Sequence, residues 1–389
     1  MKLSGLKVLD LSAFLPGPHM TMMMADHGAD VVMIEPANAV GEPTREIGWK
    51  TGDGVSVWFR NIARGKRSLK VNLKDPAGQK LVHALAKEAD VFVEAFRPGV
   101  VKRLGVDYAT LKALNPRLVY CSISAFGQEG AYAAKPAHDL TVQALAGLVD
   151  LNRGLDDGKP ASPNMPVADM AASLMALSAI LMALYRRHET GRGDYIDMAM
   201  YDAALSWTPN VTGPVFAEDA HPPVKDMRSF GGAAMYHVYE TKDQRFLVLG
   251  GSEAKFTENL LTALGRPDLV TVALQEPGPK QERVRAFFRH TFASRTLEEW
   301  AAFLKDVDCC WAPVRTLKDA FDDPHTAARG LVFTDTDANR HIGMPIRFAD
   351  EPGAPDPAVP GFGEHSQELA RAAGFSEAEI ADLIARKVI

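Results

Sequence analysis

Cysteine is scarce in this 389-residue chain: Cys121, Cys309 and Cys310 are the only three, and the adjacent pair is poorly placed to bridge itself. A disulfide framework is therefore excluded as the organising principle, and a cytoplasmic compartment is expected. An excess of basic charge is lacking too. Forty-three Lys and Arg stand against 49 Asp and Glu, a formal net charge of −6, which gives no electrostatic case for nucleic acid or an anionic membrane as partner. No apolar run reaches the ~20 residues of a membrane span. The longest, Met170 to Tyr185, contains Ser173 and Ser178, ends in Arg186, Arg187 and His188, and reads as a buried core helix. The opening MKLSGLKVLDLSAF has neither a continuous apolar targeting core nor a small-residue cleavage site, and reads directly as a first strand. Phosphate fingerprints are missing as well. No G-x-G-x-x-G follows that strand, where Leu15-Pro16-Gly17-Pro18 stands, and Arg64-Gly65-Lys66-Arg67-Ser68 lacks the leading glycine of a P-loop. There is no H-E-x-x-H, and Cys309-Cys310 lacks paired ligand spacing, so no metal is expected.

What is present is a folded, core-forming composition, 47% hydrophobic and 24% charged, on a chain long enough for one large and one smaller domain. Short apolar runs at Lys7 to Ser12, Asp30 to Glu35, Asp90 to Phe96 and Leu118 to Ser124 alternate with helix-like segments near His19 to His27 and Pro76 to Lys87. That alternation predicts an α/β fold with a parallel sheet of about six strands. A further strand, Tyr195 to Met200, follows a long helix that Asp169 opens and Gly191-Arg192-Gly193 closes. The pattern changes near Gly231, where Met235 to Glu240 and Arg245 to Gly250 read as a hairpin and Glu253 to Leu264 as a helix. These readings divide the chain into a large domain over 1–225, a smaller α+β domain over 226–333, and a returning segment over 334–389. In the last, PGAPDPAVPGFG forms an extended strap from Pro352 to Gly363, and Ser366 to Val388 forms helices broken at Gly374-Phe375-Ser376 that dock on the large domain.

Three places carry chemistry. His138-Asp139 opens a helix after a turn-rich stretch, Asp169 precedes the long apolar helix, and Glu253 follows a strand at the start of another helix. Each has a plain structural reading: Asp139 as a first-turn carboxylate, Asp169 as an N-cap, and Ser252 or Glu253 as a cap. The basic residues Arg64, Lys66, Lys74, Arg97 and Arg103 suit a phosphate site and equally a solvated face. Met20, Met22, Met23 and Met24, with Met165, Met170, Met175 and Met182 near Asp169, suit either core or a pocket for variable acyl chains.

Taken together, LSGLKVLDLSAFLPGPHMTMMMADHGADVVMIEP, RNIARGKRSLKVNLKDPAGQ, VFVEAFRPGVVKRLGVDYATLKALNPRLVYCSISAFGQEG, PAHDLTVQALAGL, ETGRGDYIDMAMYDA and YHVYETKDQRFLVLGGSE form a co-linear set. The set resembles the family III CoA-transferase and α-methylacyl-CoA racemase superfamily, also called CaiB/BaiF-like, over nearly the whole chain. The resemblance implies a Rossmann-like large domain and a small domain joined by long linkers, with two subunits interlocked as linked rings. It implies an acyl-CoA substrate, no cofactor beyond the CoA it carries, and a homodimer.

It also implies that Asp169 is the shared catalytic aspartate. In the transferase branch that aspartate is the nucleophile; in the racemase branch it is one of two proton-transfer groups, the other being a histidine with a paired glutamate, matched here by His138 and Glu253. Epimerising a thioester requires a base on each face of the α-carbon and a donor for the enolate oxygen, for which amides at the start of the Asp169 helix are expected. CoA phosphates are expected near Arg64, Lys66, Lys74, Arg97 and Arg103. FLPGP and the presence of histidine before aspartate lean to the racemases. Ala137 where they place glycine, the glycine-free Met170-Ala171-Ala172-Ser173 after Asp169, and VQALAGL keep the transferases as the alternative.

Overall fold

The computed structural model describes residues 1–37, 40–154 and 158–389. The chain forms two compact units, one of residues 1–147, 163–207 and 324–389, the other of 148–162 and 208–323. The expected boundaries at 225 and 333 therefore move. The second unit begins soon after Trp207 and also takes in 148–162, while the chain rejoins the first unit at Pro324.

The first unit opens with β1 (Lys7–Leu11), α1 (Pro16–Asp26), β2 (Asp30–Pro36), α2 (Val57–Ala63), β3 (Arg67–Val71), α3 (Pro76–Ala86), β4 (Val91–Glu94), α4 (Val100–Arg103), α5 (Tyr108–Leu114), β5 (Val119–Ser124) and α6 (Asp139–Leu145). After α7 (Leu148–Leu151) in the second unit come α8 (Val167–Thr190), β6 (Tyr195–Ala199) and α9 (Met200–Ser206). All six strands pair in parallel in the order β3-β2-β1-β4-β5-β6. Both faces are covered, which is why β4 and β5 are buried along their whole length and read as unbroken apolar runs. The strand order reverses between β1 and β4, so the crevice at the carboxyl ends of those strands is where such a sheet admits a ligand.

Within the six-stranded sheet, expected and observed strands coincide to within two residues, except that β3 has no counterpart among the expected strands. Its sequence RSLKV alternates charge with apolar residues at the sheet edge, and Arg67 ion-pairs Asp30 of the neighbouring strand. One face of the sheet packs a core of Leu9, Ile34, Leu69, Leu81, Phe92 and Tyr120 against Leu369, Ile380, Leu383 and Val388. Leu369 belongs to α17 (Ser366–Ala372), Ile380 and Leu383 belong to α18 (Glu377–Ala385), and Val388 follows α18; the two helices are separated by Gly374 at φ 88°, the left-handed position only glycine adopts freely. The strap reaches them across the surface, tied by Gly65 N–H to Ala358 O, Arg45 Nη1 to Pro360 O and Gly363 N–H to Ser68 Oγ.

Helix α8 is long and apolar enough, by length and composition, to cross a membrane. Ala168, Ala171, Ala172, Ser173, Ala176 and Ile180 bury one face of it in the first unit, all but Ile180 small residues that allow close approach. The expected burial holds for that face alone: Leu174, Leu181, Met182 and Tyr185 are exposed.

The second unit completes the α series with α10 (Gly213–Glu218), α11 (Ala254–Ala263), α12 (Val270–Ala273), α13 (Glu282–Phe292), α14 (Leu297–Leu304) and α15 (Leu317–Phe321). Its sheet is β7 (Tyr236–Glu240), β8 (Phe246–Gly250) and β9 (Trp311–Pro313), antiparallel throughout, so the expected hairpin gains a third strand. Tyr239, Phe288, Phe292 and Trp300 centre its core. The rejoining segment carries α16 (Pro324–Ala328) and the hairpin β10 (Val332–Thr334) with β11 (Arg340–Ile342).

The turn from β1 into α1 is organised by a buried carboxylate. Asp10 accepts from Ser12 N–H at 3.0 Å and from the hydroxyls of Ser12 and Thr21, and it pairs with Lys66 Nζ at 3.1 Å. Removing one partner of a buried pair strands the other charge at a cost of about 3–5 kcal/mol. Asp10→Ala should lose stability on that scale, read as a lowered urea midpoint, whereas Asp30→Ala at the exposed Arg67 pair should stay within about 1 kcal/mol of wild type.

Candidate active site

The crevice predicted by the strand order is a cavity of about 440 Å³. Phe14 after β1, Phe96 and Arg97 after β4, Ser124 at the end of β5 and Met200 after β6 form its walls, and Lys135, His138 and Asp169 complete it.

Sequence separates His138 and Asp169 by 31 positions; one carboxylate brings them together. Asp139 Oδ1 accepts from the backbone N–H of Ala168 at 2.8 Å and of Asp169 at 3.1 Å, while its Oδ2 accepts from Gln143 Nε2 at 2.5 Å. Gln143 Nε2 also donates to Met165 O, closing a clamp between α6 and the entry to α8. The expected local caps are thereby corrected. Asp139 serves the amides of α8 instead of those of its own helix, and Asp169 lies within the first turn of α8, whose N-cap position is Pro166. A proline side chain cannot cap, so the acceptor is imported from α6.

The same bonds overturn the expected enolate-binding amides. The N–H groups of Ala168 and Asp169 go to Asp139, that of Val167 to Met165 O, and that of Met170 to Pro166 O. The free donors on the cavity wall are instead Arg97 and Lys135, both exposed and without an ion pair among the described residues. Lys135, Phe14 and Phe96 escaped the sequence reading. Only Lys135 left a signal, as a lone cation three positions before His138.

Asp169 is half-buried, and no hydrogen bond holds its carboxylate among the described residues. Burial, and secondarily the charge of Asp139, push its carboxyl up to about 7. His138 is exposed at the N-cap of α6, makes no capping bond, and meets the ring of Phe14 edge to face. Nearby, His19 Nδ1 lies 2.9 Å from Ser173 Oγ on α8, and burial holds its imidazole down to about 4, with Lys66 and Arg64 adding to the effect.

Glu253 belongs to the second unit, exposed at the N-cap of α11 with no side-chain capping bond; Ser252 Oγ accepts from Arg228 instead of capping. Of the five expected phosphate ligands, Lys74, Arg97 and Arg103 are exposed and free of ion pairs among the described residues. Arg64 and Lys66 are committed inward. Arg64 forks onto Asp26 at 3.0 and 2.7 Å, and Lys66 Nζ is surrounded by Asp10, Pro18 O and Thr21 Oγ1, so neither presents its charge to solvent. Met20, Met22, Met23 and Met24 are buried core in α1, whereas Met165 and Met182 are exposed.

Comparison with known proteins places this arrangement in a family. The model of CoA-transferase family III matches residues 3–366, and the chain belongs to that family. It is 32% identical to the human α-methylacyl-CoA racemase over 398 residues, covering 100% of this chain and 98% of that protein. An acyl-CoA transferase of Fusarium pseudograminearum is 32% identical over 397 residues, covering 97% and 86%. A crystal structure of a CAIB/BAIF family protein from Brucella suis superposes with a TM-score of 0.83 at 30% identity, covering 95% and 99%.

The raised Asp169 value has a definite sign in stability. A carboxyl that titrates at about 7 when folded and near its ordinary 3.8 when unfolded stabilises the fold below pH 3.8 and loses that contribution as pH rises through 7. Asp169→Asn, which carries no charge to bury, should therefore melt higher than wild type at pH 8, with the difference closing by pH 4. Equal melting temperatures across that range would contradict the assignment.

Proposed function

We propose that this protein epimerises 2-methylacyl-CoA thioesters by α-proton transfer. The observation that carries the reading is the Asp139 clamp, which sets His138 in one cavity with Asp169, whose carboxyl burial raises to about 7, at the switch point of the sheet. A weakly acidic α-proton calls for a base whose pKa lies near the operating pH, and burial supplies one in Asp169. Asp169 removes the proton on one face, and His138 returns one on the other. Lys135 is the cation available to the developing enolate oxygen, in place of the engaged α8 amides.

Lys74, Arg97 and Arg103 are the phosphate ligands of choice for CoA, which enters as part of the substrate; the reaction uses no other cofactor. The exposed Leu174, Leu181, Met182 and Tyr185 face of α8 supports an intertwined homodimer, since a patch of this kind on a soluble chain asks for a partner. Three unbridged cysteines fit a cytoplasmic setting.

A second reading is favoured by the unencumbered Asp169 carboxylate. It would attack an acyl-CoA and expel the CoA thiolate to form a mixed anhydride; the thiolate then attacks the aspartyl carbonyl, releasing the donor acid as its carboxylate and leaving an enzyme–CoA thioester. An acceptor carboxylate attacks that thioester, again expelling the thiolate, which takes the acceptor acyl group and frees the Asp169 carboxylate.

Proton NMR of the enzyme with (S)-2-methylacyl-CoA in deuterium oxide separates the two. Loss of the α-proton without an acceptor acid is expected, with His138→Ala slowing it by about 10²-fold or more. Acceptor-dependent formation of a new thioester without α-exchange would sink the epimerase reading and leave Asp169 as the nucleophile.

A further inference from the structure

Phe14 holds a backbone conformation that aromatic residues rarely adopt, with φ at 66°. It lies in the wall of the cavity that contains His138 and Asp169, and such outliers persist only where their surroundings over-determine them. The constraint is visible. The N–H of Phe14 donates at 2.8 Å to Oε1 of Glu42, a buried residue whose other oxygen accepts from Thr44 N–H at 2.7 Å and from the Thr44 hydroxyl. Glu42 is itself anchored: its N–H donates to Glu35 Oε2 at 2.9 Å, and Glu35 is gripped by both arms of Arg45 at 2.7 Å. Arg45 lies over the Phe59 ring at 4.1 Å and donates to Pro360 O of the strap. Burial and the charge of Glu35 push the Glu42 carboxyl up, and the donors from Thr44 and Phe14 work the other way.

What this framework delivers to the cavity is one ring. Phe14 meets the imidazole of His138 edge to face, centroids 5.6 Å apart and planes at 81°. Among the described residues no hydrogen bond restrains that imidazole, so the aromatic contact is its one directional restraint. We infer that Glu42 and Phe14 are positioning residues for His138: Glu42 locks the left-handed backbone of Phe14, and the Phe14 ring then selects the orientation in which the imidazole faces the cavity. Only the kinetic consequence rests on the proposed function.

The test uses the full-length protein with labelled histidine, reading the χ1 rotamer averaging of His138 from three-bond couplings alongside α-proton exchange. Wild type and Phe14→Tyr should show one rotamer. Glu42→Gln, which cannot serve both Phe14 and Thr44 as an anion, should show averaged couplings and a roughly tenfold fall in kcat with KM within twofold of wild type. Phe14→Gly should show the same averaging while melting no lower than wild type, because glycine accepts φ 66° without strain. It remains informative if Glu42→Gln does not fold. A single unaveraged His138 rotamer in Phe14→Gly overturns the inference, as does one in folded Glu42→Gln. Wild-type protein without α-exchange would remove the epimerase reading, yet the couplings would still decide the positioning role.

Discussion

The site depends on one shared acceptor, Asp139 Oδ1. A helix that begins at a proline-led turn has backbone donors it cannot satisfy, and α8 meets this need with a carboxylate from a helix 29 positions earlier in the chain. Because His138 precedes that carboxylate in the chain and Asp169 supplies one of the bonded amides, an ordinary requirement of helix termination also brings the two candidate side chains to one cavity. The arrangement leaves a mark on the electrostatics as well. The charge that satisfies the amides stands close enough to Asp169 to oppose its ionisation, adding to the effect of burial.

The sheet supplies the second constraint. Parallel order with reversal between β1 and β4 places four loops at one rim, and each contributes a wall of the cavity. The β1 loop is kept in shape by Asp10 and Lys66, the β4 loop by Glu94, whose carboxylate accepts from Phe96 N–H at 2.8 Å. Burial pushes the Glu94 carboxyl up to about 7, so this rim carries two acids raised well above the ordinary carboxylate range by burial, Glu94 and Asp169.

Much of this was legible in the residues. The covered strands announce themselves as apolar runs, the long helix by its length and its glycine stop, and the break near Gly374 by its glycine; the structure then places Gly191 and Gly374 in left-handed backbone. What escaped shares a physical cause: it is set by partners distant in the chain. Strand β3 looks polar because its charges pair across an edge, and 148–162 joins the second unit through contacts that no local pattern reports. Lys66 and Arg64 look like surface cations until Asp10 and Asp26 are seen beneath them. His138, Asp169 and Glu253 were identifiable as candidates from short motifs, but the import of Asp139 to cap another helix, and the φ of Phe14, follow from packing alone.

The outer face of the central sheet is finished by α17 and α18, which the chain reaches only after passing through the whole second unit. During ribosomal synthesis, Leu9, Ile34, Leu69 and Phe92 would emerge early and wait for Leu369, Ile380 and Leu383 to arrive. That interval leaves a broad apolar surface open in the nascent chain, the condition under which a polypeptide draws on chaperones or pairs with the wrong neighbour. A fold closed by its last helices thus concentrates its vulnerability in time: it is exposed while being made and protected once complete.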